Sequence, residues 1–539
     1  MTLRTQRWLF PLFLLFAFAL ALAFRLPRLH ERPMHVDEAV QAFKTGILLD
    51  QGDYCYDPEE YHGPTLHYIV KPVLRLTGTR QFKDTRETQY RAVTAVTGAL
   101  LVLLFWGIGD GLGRPAAVCA AFLTAVSPAM VFYSRYYIHE TLLVFFTFAM
   151  LSFAWRHTRR EKVGWAVLAG LSAGLVYATK ETCVLTFVSV LVSLGLMEAW
   201  THLMDRRRLH IHKDLPSKHH FFPFVLGCVT AALLFSAFLT HPEGPINAIK
   251  THFISLHRAG PGGYHEHPWY YYFKMLLWTR HDRGPWFSEA YIVLLSAVGF
   301  VWILTRRGHH EAPILLKRFL AFYVLVLAGL YSAVPYKTPW CVLSFLHGMT
   351  LLAGVGAIAL ITLARKWPFQ LLVGGLLLAG FFQLNEISRR TNFKFCADRR
   401  NPYVYAHTQM GFLKLAQRVE DLANVHPQGH QMLVKIISPH YWPLPWYLRK
   451  FDHVGYWDHP DAHPKEHPLD APLIVTCPDL MEQVSSQLQE EYQLDSYYPL
   501  WPEEFVVPYI QKDLWDAFMA TRMNPSPTTQ PSLNRRNES

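Results

Sequence analysis

Charge is what this sequence has little of, and the shortage is local. Lys, Arg, Asp and Glu make up 17% of 539 residues against 51% hydrophobic. The apolar runs near 8–24, 89–108, 116–134, 141–155, 163–179, 183–197, 221–240, 287–305, 319–335, 340–363 and 368–385 contain only two charges, Arg91 and Glu289. A spanning helix needs about 20 apolar residues, so this pattern excludes a soluble multidomain chain and predicts an α-helical polytopic membrane protein with about eleven transmembrane helices. Cysteine is scarce too. Cys55, Cys119, Cys183, Cys228, Cys341, Cys396 and Cys477 form no Cys-x-x-Cys pair, so neither a zinc ribbon nor a disulfide framework is signalled.

Cationic residues in the short connections set the orientation, because cytoplasmic loops retain Lys and Arg. With Arg4 and Arg7 inside, the inner connections hold Arg114; Arg156, Arg159, Arg160 and Lys162; Arg206, Arg207, Arg208, Lys213 and Lys218; Arg306, Arg307, Lys317 and Arg318; and Arg365 and Lys366. The short outer connections hold one cation each, Arg135, Lys180 and Lys337. Inner segments thus carry 18 cations against six acids, whereas the tail from 386 carries 15 against 19. The formal net charge of +10 therefore encodes topology, and the gathered basic face that a nucleic-acid partner requires is missing. Ala21-Leu22-Ala23 would suit a signal-peptide cleavage site, but 17 apolar residues with Arg25 and Arg28 directly after them favour a retained span.

Three outward segments remain, so the chain divides into a transmembrane domain over 1–385, with outer loops 25–88 and 241–286, a soluble α/β domain over 386–523 and a disordered tail over 524–539. The outer loops carry short amphipathic pieces, with Trp269, Tyr270, Tyr271, Tyr272 and Trp278 suited to the headgroup level. In the soluble domain, helical spacing runs from Phe412 to Leu422, and Met432 to Ile437 and Pro472 to Thr476 read as buried strands.

The chemistry-bearing residues collect on the outer side. His35-Val36-Asp37-Glu38-Ala39 opens the first loop, where an acidic pair could serve as general base, metal ligand or helix cap. Ser134-Arg135-Tyr136-Tyr137-Ile138-His139-Glu140 forms the second outer connection. There Arg135 could clamp Glu140 or hold an anion through its fork of donors. Lys180-Glu181 and Pro335-Tyr336-Lys337-Thr338-Pro339-Trp340 supply the other two; a lone lysine at a helix end could equally snorkel to the interface. Ionisable groups at membrane depth are costly unless they face a cavity, and a cavity open to lipid suits a lipid phosphate.

These four motifs, with Thr182 after Glu181, resemble the integral-membrane glycosyltransferases of the C-type superfamily, in the branch of the protein O-mannosyltransferases and the lipid A aminoarabinose transferase. Ser438-Pro439-His440-Tyr441-Trp442-Pro443-Leu444-Pro445-Trp446-Tyr447 resembles a bacterial and archaeal subgroup associated with lipid-linked sugar flipping. The resemblance implies inverting transfer of a sugar from a polyprenyl-phosphate donor to a glycan, lipid or protein acceptor at the outer face of the cytoplasmic membrane. It implies Asp37 as base with Glu38 beside it, and Arg135, Lys180 and Lys337 as cations for the donor phosphate. His35, His139, Glu140, Glu181, Tyr336 and Trp340 would support them. His62-Gly63-Pro64 stands where related enzymes often carry Lys-Pro-Pro, so a titratable His62 replaces a permanent cation. Some members of the superfamily use a divalent cation and others do not, so the resemblance admits one without requiring it.

His459, His463 and His467 recur every four residues, but each precedes a proline, which forbids the regular helix that would align them on a metal. His265-Glu266-His267 reads as a loop facing the headgroups. The rival readings are a non-catalytic transporter or flippase component for lipid-linked sugars, against which the lack of an internal repeat counts, and an inactive scaffold.

Overall fold

The structure is a computed structural model and describes residues 3–60, 62–205, 218–260, 265–306, 312–463 and 469–523. His467, the inner cations Arg206 to Lys213 and Arg307, and the segment from 524 onward lie outside the described residues. The chain separates into two compact units. The first comprises Met1–Glu31, Lys44–Gln81 and Thr85–Tyr405; the second comprises Arg32–Phe43, Phe82–Asp84 and Ala406–Ser539.

The first unit is mainly helical, and most of each of the eleven apolar runs falls on helix. Among the described residues, five helices are long and apolar enough to cross a membrane by themselves: Glu87–Leu112, Cys183–Met204, Pro313–Ala333, Pro339–Leu363 and Trp367–Lys394. The run near 116–134, expected as one span, is broken into Arg114–Val126 and Pro128–Ser134 at an angle of 56°, because Pro128 lacks the N–H that would continue the ladder. Leu9–Arg25, Val163–Tyr177, Phe222–Phe235 and Ala290–Thr305 are shorter apolar helices. The helices Ala290–Thr305 and Leu343–Leu363 touch backbone to backbone. A Cβ on Gly299 would stand 2.0 Å from the Leu352 carbonyl oxygen, and one on Gly356 2.0 Å from that of Leu295; small residues permit this approach where lipid removes the hydrophobic drive for association.

Both charges inside the apolar runs are held by fixed partners. Arg91 donates to the Leu29 carbonyl at 2.6 Å. Glu289 accepts from the Ser127 hydroxyl at 2.6 Å, the Ala129 N–H at 2.8 Å and the Tyr403 hydroxyl at 2.9 Å, so it secures the start of Pro128–Ser134. The connection 25–88 contributes the helices Val36–Asp50 and Thr65–Leu76, the first of which runs from the second unit's residues into the first's. The connection 241–286 contributes Gly244–Arg258 and Tyr271–Leu277 and a two-stranded pair, β1 (Thr279–Arg280) and β2 (Trp286–Phe287).

The second unit is an α/β fold. Its strands are β3 (Val434–Ile437), β4 (Val454–Trp457), β5 (Leu473–Thr476), β6 (Tyr492–Leu494), β7 (Tyr498–Trp501) and β8 (Glu504–Gln511). The sheet order is β4-β3-β5-β8-β6, with β7 also paired to β8; β3 lies parallel to β4 and β5, and β8 is antiparallel to its neighbours. Side chains alternate across a strand. Val434, Ile436, Leu473 and Val475 accordingly meet Phe412, Leu415, Val419 and Leu422 of the helix Phe412–Val425, together with Phe518 of Lys512–Met523. Ile437 and Ile474 join a separate cluster with Cys477, Val484 and Tyr509. Both expected strands and the expected helix are present at nearly the predicted bounds.

Candidate active site

In the second unit the acidic pair divides its labour. The helix Val36–Asp50 has His35 in the capping position, where its Nδ1 accepts the Asp37 N–H at 3.1 Å. Glu38 reaches back to the His35 N–H at 3.0 Å and pairs with Arg32 at 3.7 Å. It is fully buried, so Glu38 is a cap and an ion-pair partner. Asp37, one residue earlier, points elsewhere: it is half-buried, and its carboxylate engages no partner among the described residues.

The tail motif grips this segment. The Tyr447 hydroxyl accepts the Met34 N–H at 3.0 Å, and the Thr408 hydroxyl donates to the Met34 carbonyl at 2.8 Å. The rings of His35 and His407 lie 4.6 Å apart, Phe43 meets Trp442 at 5.9 Å, and Phe82 meets Trp446 at 5.8 Å. Sequence reasoning singled out Tyr441 to Tyr447 but missed this role, which no spacing between residues so far apart could show.

The first unit brings together His62, His139, Glu140, Lys180 and Glu181. The His62 Nδ1 lies 2.9 Å from the Glu181 carboxylate, and the His139 Nε2 lies 3.0 Å from the Gly63 carbonyl. The His62 and His139 rings are 5.1 Å apart. Lys180 is buried and donates to the Glu140 carboxylate. The connection Ala178–Thr179 holds the loop in place, accepting the Gly63 N–H at 3.2 Å and the Thr65 hydroxyl at 2.7 Å. A Cβ on Gly63 would stand 2.1 Å from the Ala178 oxygen, so this close approach requires glycine.

Electrostatics follow from these pairings. Burial pushes the Glu181 carboxyl up, but the charge and hydrogen bond of His62, with Lys180 behind, hold it down at about 2. Burial alone would strip Lys180 of its proton; the Glu140 carboxylate holds it well above its ordinary value. Burial, with His62 and His67 adding to it, keeps His139 well below the usual histidine range. The same burial sets His67 at about 3. His67 belongs to a relay that sequence reasoning did not find: Thr45 shares hydrogen bonds with the His67 Nδ1 at 2.8 Å and with the Tyr137 hydroxyl at 2.7 Å.

Lys337 sits in a second cluster. Its N–H donates to the His265 carbonyl at 2.9 Å, and Glu266 bridges Tyr336 as a β-pair. The ammonium donates to the carbonyls of His267, at 3.0 Å, and Val334. Burial pushes the Lys337 ammonium below its ordinary value, and the charge of Glu266 pulls it back up; among the described residues it forms no direct ion pair. Trp340 packs near Tyr133 and Tyr405, and Tyr405 meets the His265 Nδ1 at 2.6 Å. His265-Glu266-His267, expected as a loop at the headgroups, is thus the backbone partner of the Lys337 connection.

Arg135 does not pair with Glu140. Its guanidinium gathers the carbonyls of Phe24, Arg25, Pro27 and Arg28 at 2.7–3.4 Å and lies 4.9 Å from the Phe393 ring centroid. A cation at the carbonyl end of Leu3–Arg25 opposes that helix's negative pole. In the other unit His463 meets Trp457 edge to face at 4.6 Å, and Pro460–Ala462 is a short 3-10 turn.

Comparison with known proteins gives the architecture a counterpart. Residues 72–241 match the family model described as dolichyl-phosphate-mannose-protein mannosyltransferase, a stretch that includes Arg135, His139, Glu140, Lys180 and Glu181. The ArnT structure from Cupriavidus metallidurans bound to undecaprenyl phosphate superposes with a TM-score of 0.61 at 15% identity, covering 92% of this chain and 97% of that one. Its apo form gives 0.62 over 94% and 98%, also at 15% identity. The fold is that of ArnT. The archaeal oligosaccharyltransferase AglB from Archaeoglobus fulgidus, solved with an inhibitory peptide and a dolichol-phosphate, shares this fold at a TM-score of 0.57 and 11% identity, over 88% of this chain and 70% of that one. A search of curated protein sequences finds no match. The chain thus has the fold of ArnT, with apolar helices long enough to cross a membrane and a small C-terminal sheet domain.

Proposed function

We propose that this chain is an inverting glycosyltransferase that moves a sugar from a polyprenyl-phosphate donor to an acceptor hydroxyl at the outer face of the cytoplasmic membrane. The observation that carries the proposal is the unspent Asp37 carboxylate beside a fully committed Glu38. It lies in the first turn of Val36–Asp50. Further support comes from the fold shared with ArnT, whose structure holds undecaprenyl phosphate.

In the proposed step Asp37 takes the acceptor hydroxyl proton, and the acceptor oxygen attacks the anomeric carbon opposite the phosphate. The bond from that carbon to the phosphate oxygen breaks with its electron pair leaving on the polyprenyl phosphate. One displacement inverts the centre. Charge growing on the leaving phosphate calls for fixed cations, and Lys337, hydrogen-bonded to carbonyls and in no direct ion pair among the described residues, is the favoured one. Arg135, Lys180 and His62 take part by exchanging a carbonyl or carboxylate partner for a phosphate oxygen. His35, His139, Glu140, Glu181, Tyr336 and Trp340 position these groups. The reading places the N-terminus in the cytoplasm and the C-terminal domain outside.

The test is transfer from a polyprenyl-phosphate sugar by the reconstituted chain. Asp37→Asn should lose a factor of about 10²–10⁴ at unchanged abundance, while Glu38→Gln should act mainly through stability. Wild-type turnover in the folded Asp37→Asn protein overturns the assignment.

A further inference from the structure

The first outer loop and the turn before Gly244–Arg258 meet at a cluster that the reaction above does not use. Tyr54 and Tyr56 are buried at 3% exposure each, within the cluster of Leu48, Ala178, Phe235 and Ala248. The Tyr56 hydroxyl is fixed to that of Thr251 at 2.8 Å. In an extended segment alternate side chains face opposite ways, so Asp53 and Cys55 turn together to the other side. His241 arrives there from the end of Lys218–Phe235 through Ala237, Phe238 and Leu239. All three have left-handed backbone, with φ of 47°, 57° and 76°, a conformation that L-residues adopt at a cost. The reactive atoms of Cys55, His241 and Glu243 all lie within 4.8 Å of one another.

We propose that Cys55, His241 and Glu243 form a zinc-class metal site that ties the first outer loop to the fourth, with Asp53 orienting the histidine. The His241 Nδ1 and the Glu243 carboxylate oxygen are 3.1 Å apart, close to the separation of about 3.3 Å that two ligands of one tetrahedral zinc adopt. The opposite ring nitrogen, Nε2, meets Asp53 at 2.8 Å. That is the carboxylate–histidine–metal arrangement, in which the outer carboxylate fixes tautomer and ring orientation. Thiolate, imidazole and carboxylate together select a borderline-soft divalent ion over magnesium or calcium. Binding releases the Cys55 thiol proton to water, and the half-exposed setting leaves the fourth position to a water molecule. The assignment is independent of the glycosyltransferase reading.

The full chain in detergent, stripped with chelator and titrated with Co²⁺, should bind one ion per chain with a thiolate-to-cobalt charge-transfer band. Zn²⁺ should displace it. The band should vanish in Cys55→Ser and persist in Cys228→Ser, which removes another exposed cysteine. Asp53→Asn should weaken binding about 10- to 100-fold. A folded wild-type chain without the band, or a band unchanged by Cys55→Ser, overturns the proposal. Should Cys55→Ser fail to fold, maleimide labelling of wild-type Cys55 serves instead: Zn²⁺ should slow it more than tenfold, and equal rates with and without Zn²⁺ overturn the site.

Discussion

Lys180 and Lys337 are alike in the sequence, each the single cation of a short connection between apolar runs, yet they are committed differently. Lys180 is buried against Glu140, and removing one partner of a buried pair strands the other charge at a cost of about 3–5 kcal/mol. Lys180→Met should therefore lower thermal stability sharply, and adding Glu140→Leu should recover most of it; a double-mutant cycle in a thermal-shift assay reads the coupling. Lys337 is held only by carbonyls, so Lys337→Ala should leave stability nearly intact and raise the KM for the lipid donor about tenfold, measured by titrating donor at saturating acceptor. The Glu181 carboxyl, held at about 2, carries a sign that can be worked out. A carboxyl depressed by folding contributes stability that is full above its ordinary value of 4.5 and lost as pH falls towards 2. The stability difference between wild type and Glu181→Gln should be on the order of 2–3 kcal/mol at pH 6 and shrink steadily below pH 4.5.

Elements explain how such side chains are held. The segment Arg32–Phe43 packs with the tail motif rather than standing as an independent loop, and the Tyr447 hydroxyl satisfies the buried Met34 N–H. Tyr447→Phe leaves that N–H unpaired, which costs about 1–3 kcal/mol. Because the segment carries Asp37, the loss should fall on kcat with the donor KM little changed; equal changes in both would show that Tyr447 does more than hold the segment. The motif was legible in the sequence as a string of aromatics and prolines, but its partner was not, since contact between positions about 400 residues apart has no local periodicity. The break at Ser127-Pro128 was missed for a different reason. The apolar count continued through it, and hydropathy is blind to a missing N–H.

For the whole molecule, alternating cations predict a cytoplasmic N-terminus and an outer C-terminal domain. A phosphatase reporter fused after residue 523 should be active outside the membrane, and activity only after permeabilisation would reverse the assignment. The sequence by itself determined the helices and the α/β character of the tail, because burial of apolar runs and strand patterning are additive properties of neighbouring residues, and the retention of Lys and Arg sets the expected orientation. Tertiary structure decided which charges are spent. Glu38 became a cap while Asp37 stayed unengaged, Arg135 went to a helix end while Lys180 went to a carboxylate, and Cys55 came to face His241. Those outcomes rest on ångström-scale distances between residues remote in the chain, where Coulomb and hydrogen-bond energies change steeply.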